Sequence, residues 1–338
     1  MFAYVVRRTL VGVAMLVVMS MVTFLLFFAS PIDPARQACG KNCSPALQEQ
    51  VRKALGYDEP VTTQWLDFAK GVFVGRDYPD DPAIAAQNPD LVAHCPAPCL
   101  GYSQQQVAPV TDLIKDALPI SISLAILAFI LWMTGGVLFG VLAALRKGSF
   151  LDRAIVGISL LFYAFPTFFI GLLLLKFVSV KWGLVPTPEY ISILDGGLWS
   201  WFQGLWLPSL TLALFFMAAY VRMTRAYVLE STTEDYMRTA KAKGLAPGKI
   251  VFKHNLRAAL TPLVSMAGID FAVLLGGAII TESVFNYPGL GKLAVRAAVG
   301  QDLPTTVGIV LVLATFVIAA NIIVDLLYAV IDPRVRLK

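Results

Sequence analysis

Apolar and charged positions alternate along the chain in long blocks. Residues 10–29, 117–145, 154–175, 204–221 and 303–324 carry no charged side chain, and a sixth block, 258–281, is interrupted only by Asp270. About 20 apolar residues in helical geometry cross the hydrocarbon core of a bilayer, and a helix satisfies its own backbone groups where water is absent. The pattern predicts an all-α polytopic membrane protein with six transmembrane helices and both termini on one side. Gly135, Gly136 and Gly140 in the block 117–145, and Gly276 and Gly277 in the block 258–281, which is the fifth span in chain order, are small residues of the kind that lets helices pack closely in lipid. Pro166 predicts a kink in the third span.

The basic residues set an orientation. With the N-terminus inside, sixteen Lys and Arg fall on the cytoplasmic side, among them Arg7, Arg8, Arg146, Lys147, Arg153, Arg222, Arg225 and Arg334. The two short outer connections hold only Lys176, Lys181, Lys292 and Arg296. The first block is expected to be a retained helix: twenty apolar residues are long for a leader, and Ser30-Pro31 is a poor cleavage site. The expected organisation is a stub and first helix over 1–30, an extracytoplasmic loop over 31–111, a membrane core over 112–331 with an inner loop over 222–257, and a cytoplasmic tail over 332–338.

The long outer connection, 30–116, holds eleven acidic and seven basic residues. A helix is expected over 44–55, with Ser44 as N-cap and Pro45 in its first turn, and another over 65–73. The stretch 77–98 has five prolines and is expected to be irregular. All four cysteines, Cys39, Cys43, Cys95 and Cys99, lie in this segment. No His-rich partner set accompanies them, so an oxidising exterior favours two disulfides over a metal site. Three connectivities exist; the local pairs Cys39–Cys43 and Cys95–Cys99 are preferred. The segment reads equally as a solvated connector or as a docking surface or lid.

The inner loop is far longer than a connection needs. Ser231 and Glu234 have the spacing of a capping box, a short helix is expected to run to about Lys243, and Gly244 suits its C-terminal cap. A second helix is expected from Lys249 into the fifth span. The first helix sets small residues Thr239, Ala240 and Ala242 among Tyr236, Met237 and basic groups. That composition fits docking into a partner's groove, or rest on anionic lipid headgroups.

The run Asp235-Tyr236-Met237-Arg238-Thr239-Ala240-Lys241-Ala242-Lys243-Gly244-Leu245, continuing to Lys253-His254-Asn255-Leu256-Arg257, resembles the signature loop of bacterial ABC-importer permeases of the dipeptide/oligopeptide/nickel family. Arg238 and Thr239 depart from the wider superfamily's Glu-Ala opening, as that branch does, while Ala240 and Gly244 keep its pattern. Glu282 to Gly291, Asp302-Leu303-Pro304, Val324 to Tyr328 and Asp332-Pro333-Arg334 are similar to that family's later segments. The resemblance covers the first span and everything from about Thr111, but not the cysteine-bearing segment.

What the resemblance implies is the transmembrane fold of a type I ABC importer and import of di- or oligopeptides. Nickel or another small solute, or an ion-coupled transporter acting alone, are the alternatives. Implied partners are a homologous second permease, two ATPase subunits that bind ATP and Mg, an extracytoplasmic substrate-binding protein, and membrane lipid. Tyr236, Arg238, Thr239, Ala240, Ala242, Lys243, Gly244 and Leu245 would form the coupling helix that enters an ATPase cleft. No phosphate-binding Gly-x4-Gly-Lys-Ser/Thr run occurs, and no catalytic constellation or metal set is present. The chain is expected to hold no cofactor of its own and to be no enzyme.

Composition agrees: 57% of residues are hydrophobic and 14% charged, against about 25% charged in soluble domains. The net charge of +5 does not argue for nucleic acid, because the basic residues gather on one membrane side. Asp270, costly at mid-span, is a candidate for the translocation pathway or for an interhelical hydrogen bond. Glu282 and Asp325 are expected close to span ends, reaching interfacial water or neighbouring helices, and Arg222 and Arg225 as cytoplasmic anchors.

Overall fold

The computed structural model describes residues 2–28, 33–39, 43–79 and 92–331. The tail with Asp332, Pro333 and Arg334, the middle of the proline-rich stretch, and the side chains of Lys241, Lys253, His254, Arg257, Gly276, Gly277 and Asp325 lie outside the described residues.

The first span is α1 (Phe2–Phe28). Three short helices follow, α2 (Pro34–Cys39), α3 (Pro45–Ala54) and α4 (Val61–Val74). Ser44 caps α3 as expected, its side chain accepting from the Leu47 N–H at 3.2 Å. Around the stretch expected to be irregular, two small antiparallel ribbons interrupt the otherwise helical fold. Strand β1 (Arg76–Tyr78) pairs with β2 (Ala93–Cys95), and β3 (Tyr102–Ser103) pairs with β4 (Ala108–Pro109). The prolines forbid a helix there, and short strand pairing gives the backbone groups partners. Both local disulfides are present, Cys39–Cys43 and Cys95–Cys99.

The remaining chain is helical. It comprises α5 (Val110–Leu145), α6 (Phe150–Ala164), α7 (Thr167–Leu173) with a π-helical continuation Leu174–Lys181, and α8 (Ile193–Thr232). The short α9 (Asp235–Ala242) and α10 (Pro247–Lys249) lead through the π-helical Ile250–Asn255 into α11 (Leu256–Gly277). Last come α12 (Ile279–Val284), α13 (Leu290–Gly300) and α14 (Leu303–Ile331).

Among the described residues, α1, α5, α8 and α14 are each long and apolar enough to cross a bilayer, and α6 with α7 makes a fifth crossing only as a broken pair. The kink expected at Pro166 is a 104° bend. Proline has no N–H to give the helix, and it pushes the preceding residue out of the helical region; Phe165 accordingly sits at φ −88°, ψ 139°. The remaining expected span is not one helix. The expected block 258–281 falls on two helices, and Ala278, at ψ 9°, separates α11 from α12.

The chain divides into two compact units, one of residues 120–287 with 319 onward, the other of 2–119 with 288–318. In the first, Trp132 is fully buried, stacked 4.7 Å from Phe216 and edge-on to Phe129 at 5.0 Å. Helix α8 lies on α5 through glycines. A Cβ at Gly136 would sit 2.5 Å from the Tyr220 Cβ, and one at Gly140 2.5 Å from the Thr224 Cβ and 2.8 Å from the Val221 carbonyl. In the second unit, α1 packs on α4: the Phe24 and Phe68 rings are 5.4 Å apart, and the Trp65 indole N–H donates to Ser20 Oγ at 2.9 Å. Asp302 caps α14, accepting from the Thr305 hydroxyl at 2.7 Å and also from Ser103. The Asp302-Leu303-Pro304 run is thus a cap followed by a first-turn proline.

Gly136→Val is expected to destabilise the protein by about 1–3 kcal/mol, the usual cost of overpacking. Gly157→Ala, where nothing lies within 4 Å of the added Cβ, should leave stability unchanged. Thermal unfolding of the two variants in detergent checks this.

Candidate coupling site

The loop between α8 and α11 is built around α9. Eight residues are too few for a stable isolated helix, so α9 depends on what it packs against. Met237 and Ala240, three residues apart and therefore on one face, are buried against Ile250, with Leu245 beside them. Tyr236, Arg238, Thr239, Ala242, Lys243 and Gly244 are exposed. The expected site residues thus divide in two. Ala240 is turned into its own loop, Leu245 is half-buried, and the other six form a free surface.

That surface is little constrained. Arg238 approaches Asp235 at 3.6 Å, with both side chains more than three-quarters exposed, a pairing worth at most about 1 kcal/mol in water. Gly244 follows α9 at φ 72° with open space around it. Its glycine is required by backbone conformation rather than by crowding.

The expected capping box does not form. Helix α8 continues through Thr232, so Ser231 lies inside it, 8% exposed, and donates to the Val228 carbonyl and to Asn255 Oδ1. Asn255, 2% exposed, returns a bond from its amide to Thr232 Oγ1 at 2.8 Å. A helix that outruns its apolar block thereby converts the predicted cap into a clamp. One asparagine ties the start of the loop to its end. Asn255 was visible only as one letter within the signature run; its neighbours in sequence do not reveal that it faces Ser231.

Three further ties join α8 to its neighbours. Arg225 makes a two-point pair with Asp152 at 2.7 and 2.8 Å, and Asp152 also accepts from the Gly148 N–H at 2.9 Å. Arg225 therefore anchors α8 to the start of α6. The Arg222 guanidinium lies 4.6 Å from the Tyr163 ring centroid. Asp270 accepts from the Tyr220 hydroxyl at 2.7 Å, an interhelical bond between α8 and α11. Of the two expectations for Glu282, the neighbouring helix holds and interfacial water does not: it is 1% exposed and accepts from the Ser121 hydroxyl of α5 at 2.6 Å. Sequence position alone put it at the interface, but the break at Ala278 turns α12 inward.

The family described as binding-protein-dependent transport system inner membrane component matches residues 136–337, and the N-terminal component of such systems matches residues 1–125. The chain belongs to this family. The N-terminal match takes in the cysteine-bearing segment, which the signature runs leave uncovered. The probable peptide ABC transporter permease protein y4tP of Sinorhizobium fredii is 36% identical over 336 residues, covering 99% of this chain and all of that one. The dipeptide transport system permease protein DppB of Escherichia coli is 32% identical over 361 residues, covering all of both. The MetNI methionine ABC transporter in an inward-facing conformation shares the fold, with a TM-score of 0.53 at 19% identity over 65% of this chain and 96% of that one. The chain is accordingly a multi-pass inner-membrane permease of the ABC-importer class. In that class ATP hydrolysis and substrate capture fall to partners.

Asn255→Ala is expected to cost about 1–3 kcal/mol locally, because it strips partners from buried hydroxyls. Faster amide hydrogen exchange over residues 233–255, with exchange in α5 unchanged, is the measurement that checks it.

Proposed function

We propose that this chain is the permease subunit of an ATP-driven importer that carries di- and oligopeptides across the cytoplasmic membrane. It pairs with a homologous second permease. Two ATPase subunits hold the ATP and Mg, and an external binding protein delivers the peptide. Both termini lie in the cytoplasm, where the basic residues gather, and the segment 31–111 lies outside. The observation that carries the reading is α9: a short helix whose outward face bears Tyr236, Arg238, Thr239 and Lys243, in a chain whose full-length relatives are peptide permeases. A connector alone would not expose such a face while burying Met237 beneath it.

The mechanism follows from the ties. The outward face of α9 enters a cleft on one ATPase. Closure of the ATPases displaces α9, and Asn255 passes the displacement to the end of α8 and the start of α11 together. Arg225 and Asp152 carry it on to α6. The spans then tilt so that each side opens in turn. Asp270 with Tyr220 would place a polar group along the path of the peptide. An ion-coupled transporter acting alone would need several intramembrane ionisable groups, and family membership favours ATP-coupled import over it.

Arg238→Glu and Gly244→Trp are each expected to lower ATP-dependent uptake of a labelled dipeptide at least about tenfold, the equivalent of about 1.4 kcal/mol. Membrane insertion should be retained. Uptake into proteoliposomes containing the assembled complex, with and without a nickel salt as competitor, gives the answer. Wild-type rates in both variants would remove the coupling role, and uptake of nickel in place of peptide would change the substrate.

A further inference from the structure

The polar segment, Phe24 of α1 and the start of α14 line a cavity of about 360 Å³, wholly within the second compact unit. That size is at the lower end of small-molecule sites, too small for a protein partner's domain and large enough for two or three amino-acid residues. Its floor is apolar, built on Phe24 and Phe68 beside Leu303. Its walls carry charge of both signs. Asp67 and Lys70 come from α4, three residues apart, and Arg76 comes from β1. Among the described residues Asp67 and Lys70 have no ion-pair partner. Two aromatic rings, Tyr78 and Tyr102, stack at 5.7 Å on the cavity wall, with the Arg76 guanidinium 5.4 Å from the Tyr78 centroid.

The frame is preformed. Gly75 at φ 84° brings β1 so near the disulfide-bonded Cys95 that a Cβ would lie 2.9 Å from the Cys95 carbonyl, and Gly101 at φ 106° meets Pro304 at 2.7 Å in the same way. Both are conformations in which glycine alone is unstrained. Cys95 and Cys99 behind them are buried.

The lining selects the ligand. No group of three His, Cys, Asp or Glu among the described residues converges as a metal site would require. The acids Glu59, Asp67 and Asp77 are interleaved with Lys70 and Arg76, which opposes a polyanion. A short ligand with an ammonium at one end, a carboxylate at the other and an apolar body matches all three features.

We infer that this cavity binds a short zwitterionic peptide, with Asp67 facing its amino terminus, Lys70 its carboxylate, and the apolar floor a side chain. The inference rests on the peptide-import reading, and it adds a binding site on the permease itself, where the polar segment meets the ends of α1 and α14.

The test is equilibrium dialysis of labelled Ala-Phe against the assembled complex in nanodiscs, with no binding protein present. Asp67→Asn and Lys70→Gln keep side-chain size, and Lys70 is exposed, so folding is unaffected. Saturable binding is expected, weakened at least about tenfold by either variant, by N-acetylation of the probe and by amidation of its carboxylate. No saturable binding, or binding that ignores all four changes, overturns the assignment. Binding-protein-dependent uptake is read in parallel on the same preparation. Uptake without cavity-dependent binding removes this inference alone, whereas absence of uptake for any peptide removes the import reading and leaves the dialysis to decide the cavity.

Discussion

Everything in the first compact unit depends on how closely α8 lies on α5. In lipid the hydrophobic effect does not drive helices together, and association rests on packing and on polar bonds between them. Gly136 and Gly140 leave no room for a side chain against Tyr220 and Thr224, so the two backbones meet at the shortest distance the chain allows. With α8 so fixed, its polar groups reach three different partners. Tyr220 reaches Asp270, Arg225 reaches Asp152, and Ser231 with Thr232 reaches Asn255. These positions are spaced about 8–10 Å apart at 1.5 Å per residue, so the later part of α8 is tied along its length to α6, to α11 and to the loop that joins α8 to α11.

Much of this was legible in the residues. Charge-free blocks are a coarse signal and located α1, α5, α8 and α14; Pro166 located the break in the third. The glycines of α5 declared a close contact without naming its partner. What the blocks could not show is where a helix continues after its apolar run ends. Helix α8 extends eleven residues past residue 221, because Arg222, Tyr227 and Glu230 are compatible with a helix even though they do not belong in lipid. Ser231 was read as a start signal for that reason, although it sits inside the preceding helix. A related limit hid the burial of Glu282, which follows the break at Ala278: Gly276 and Gly277 just before it were read as packing residues and not as a helix end.

The polar segment illustrates the opposite case. Ser44 and Pro45 gave α3 its start through local chemistry, and the cysteine spacing favoured the pairs that are present. Its ribbons and cavity were not legible, because they arise from non-local pairing. Asp77 opposes His94 across seventeen residues, and Ser103 bonds Asp302 across almost two hundred. Sequence periodicity carries no record of such distances. A segment with few large apolar residues orders itself here through short covalent loops, through docking of Trp65 and Phe68 on α1, and through the cap that Asp302 shares between Ser103 and α14.

The coupling loop then poses a mechanical question that its geometry answers. A helix of eight residues pushed by a partner would yield unless something opposed the push, since so short a helix barely holds together by itself. Met237 and Ala240 oppose it sideways, by resting on Ile250. Asn255 opposes it lengthwise, because its amide holds both ends of the loop at once. Under the proposed mechanism a load on Arg238 or Lys243 must therefore move α9, Ile250 and the end of α8 as one body. Compliance is left to Gly244, the described position of this loop that combines a left-handed backbone with open space around it. Stiffness at Asn255 and freedom at Gly244 are complementary requirements: the first transmits displacement, and the second lets α9 adjust to the surface that grips it.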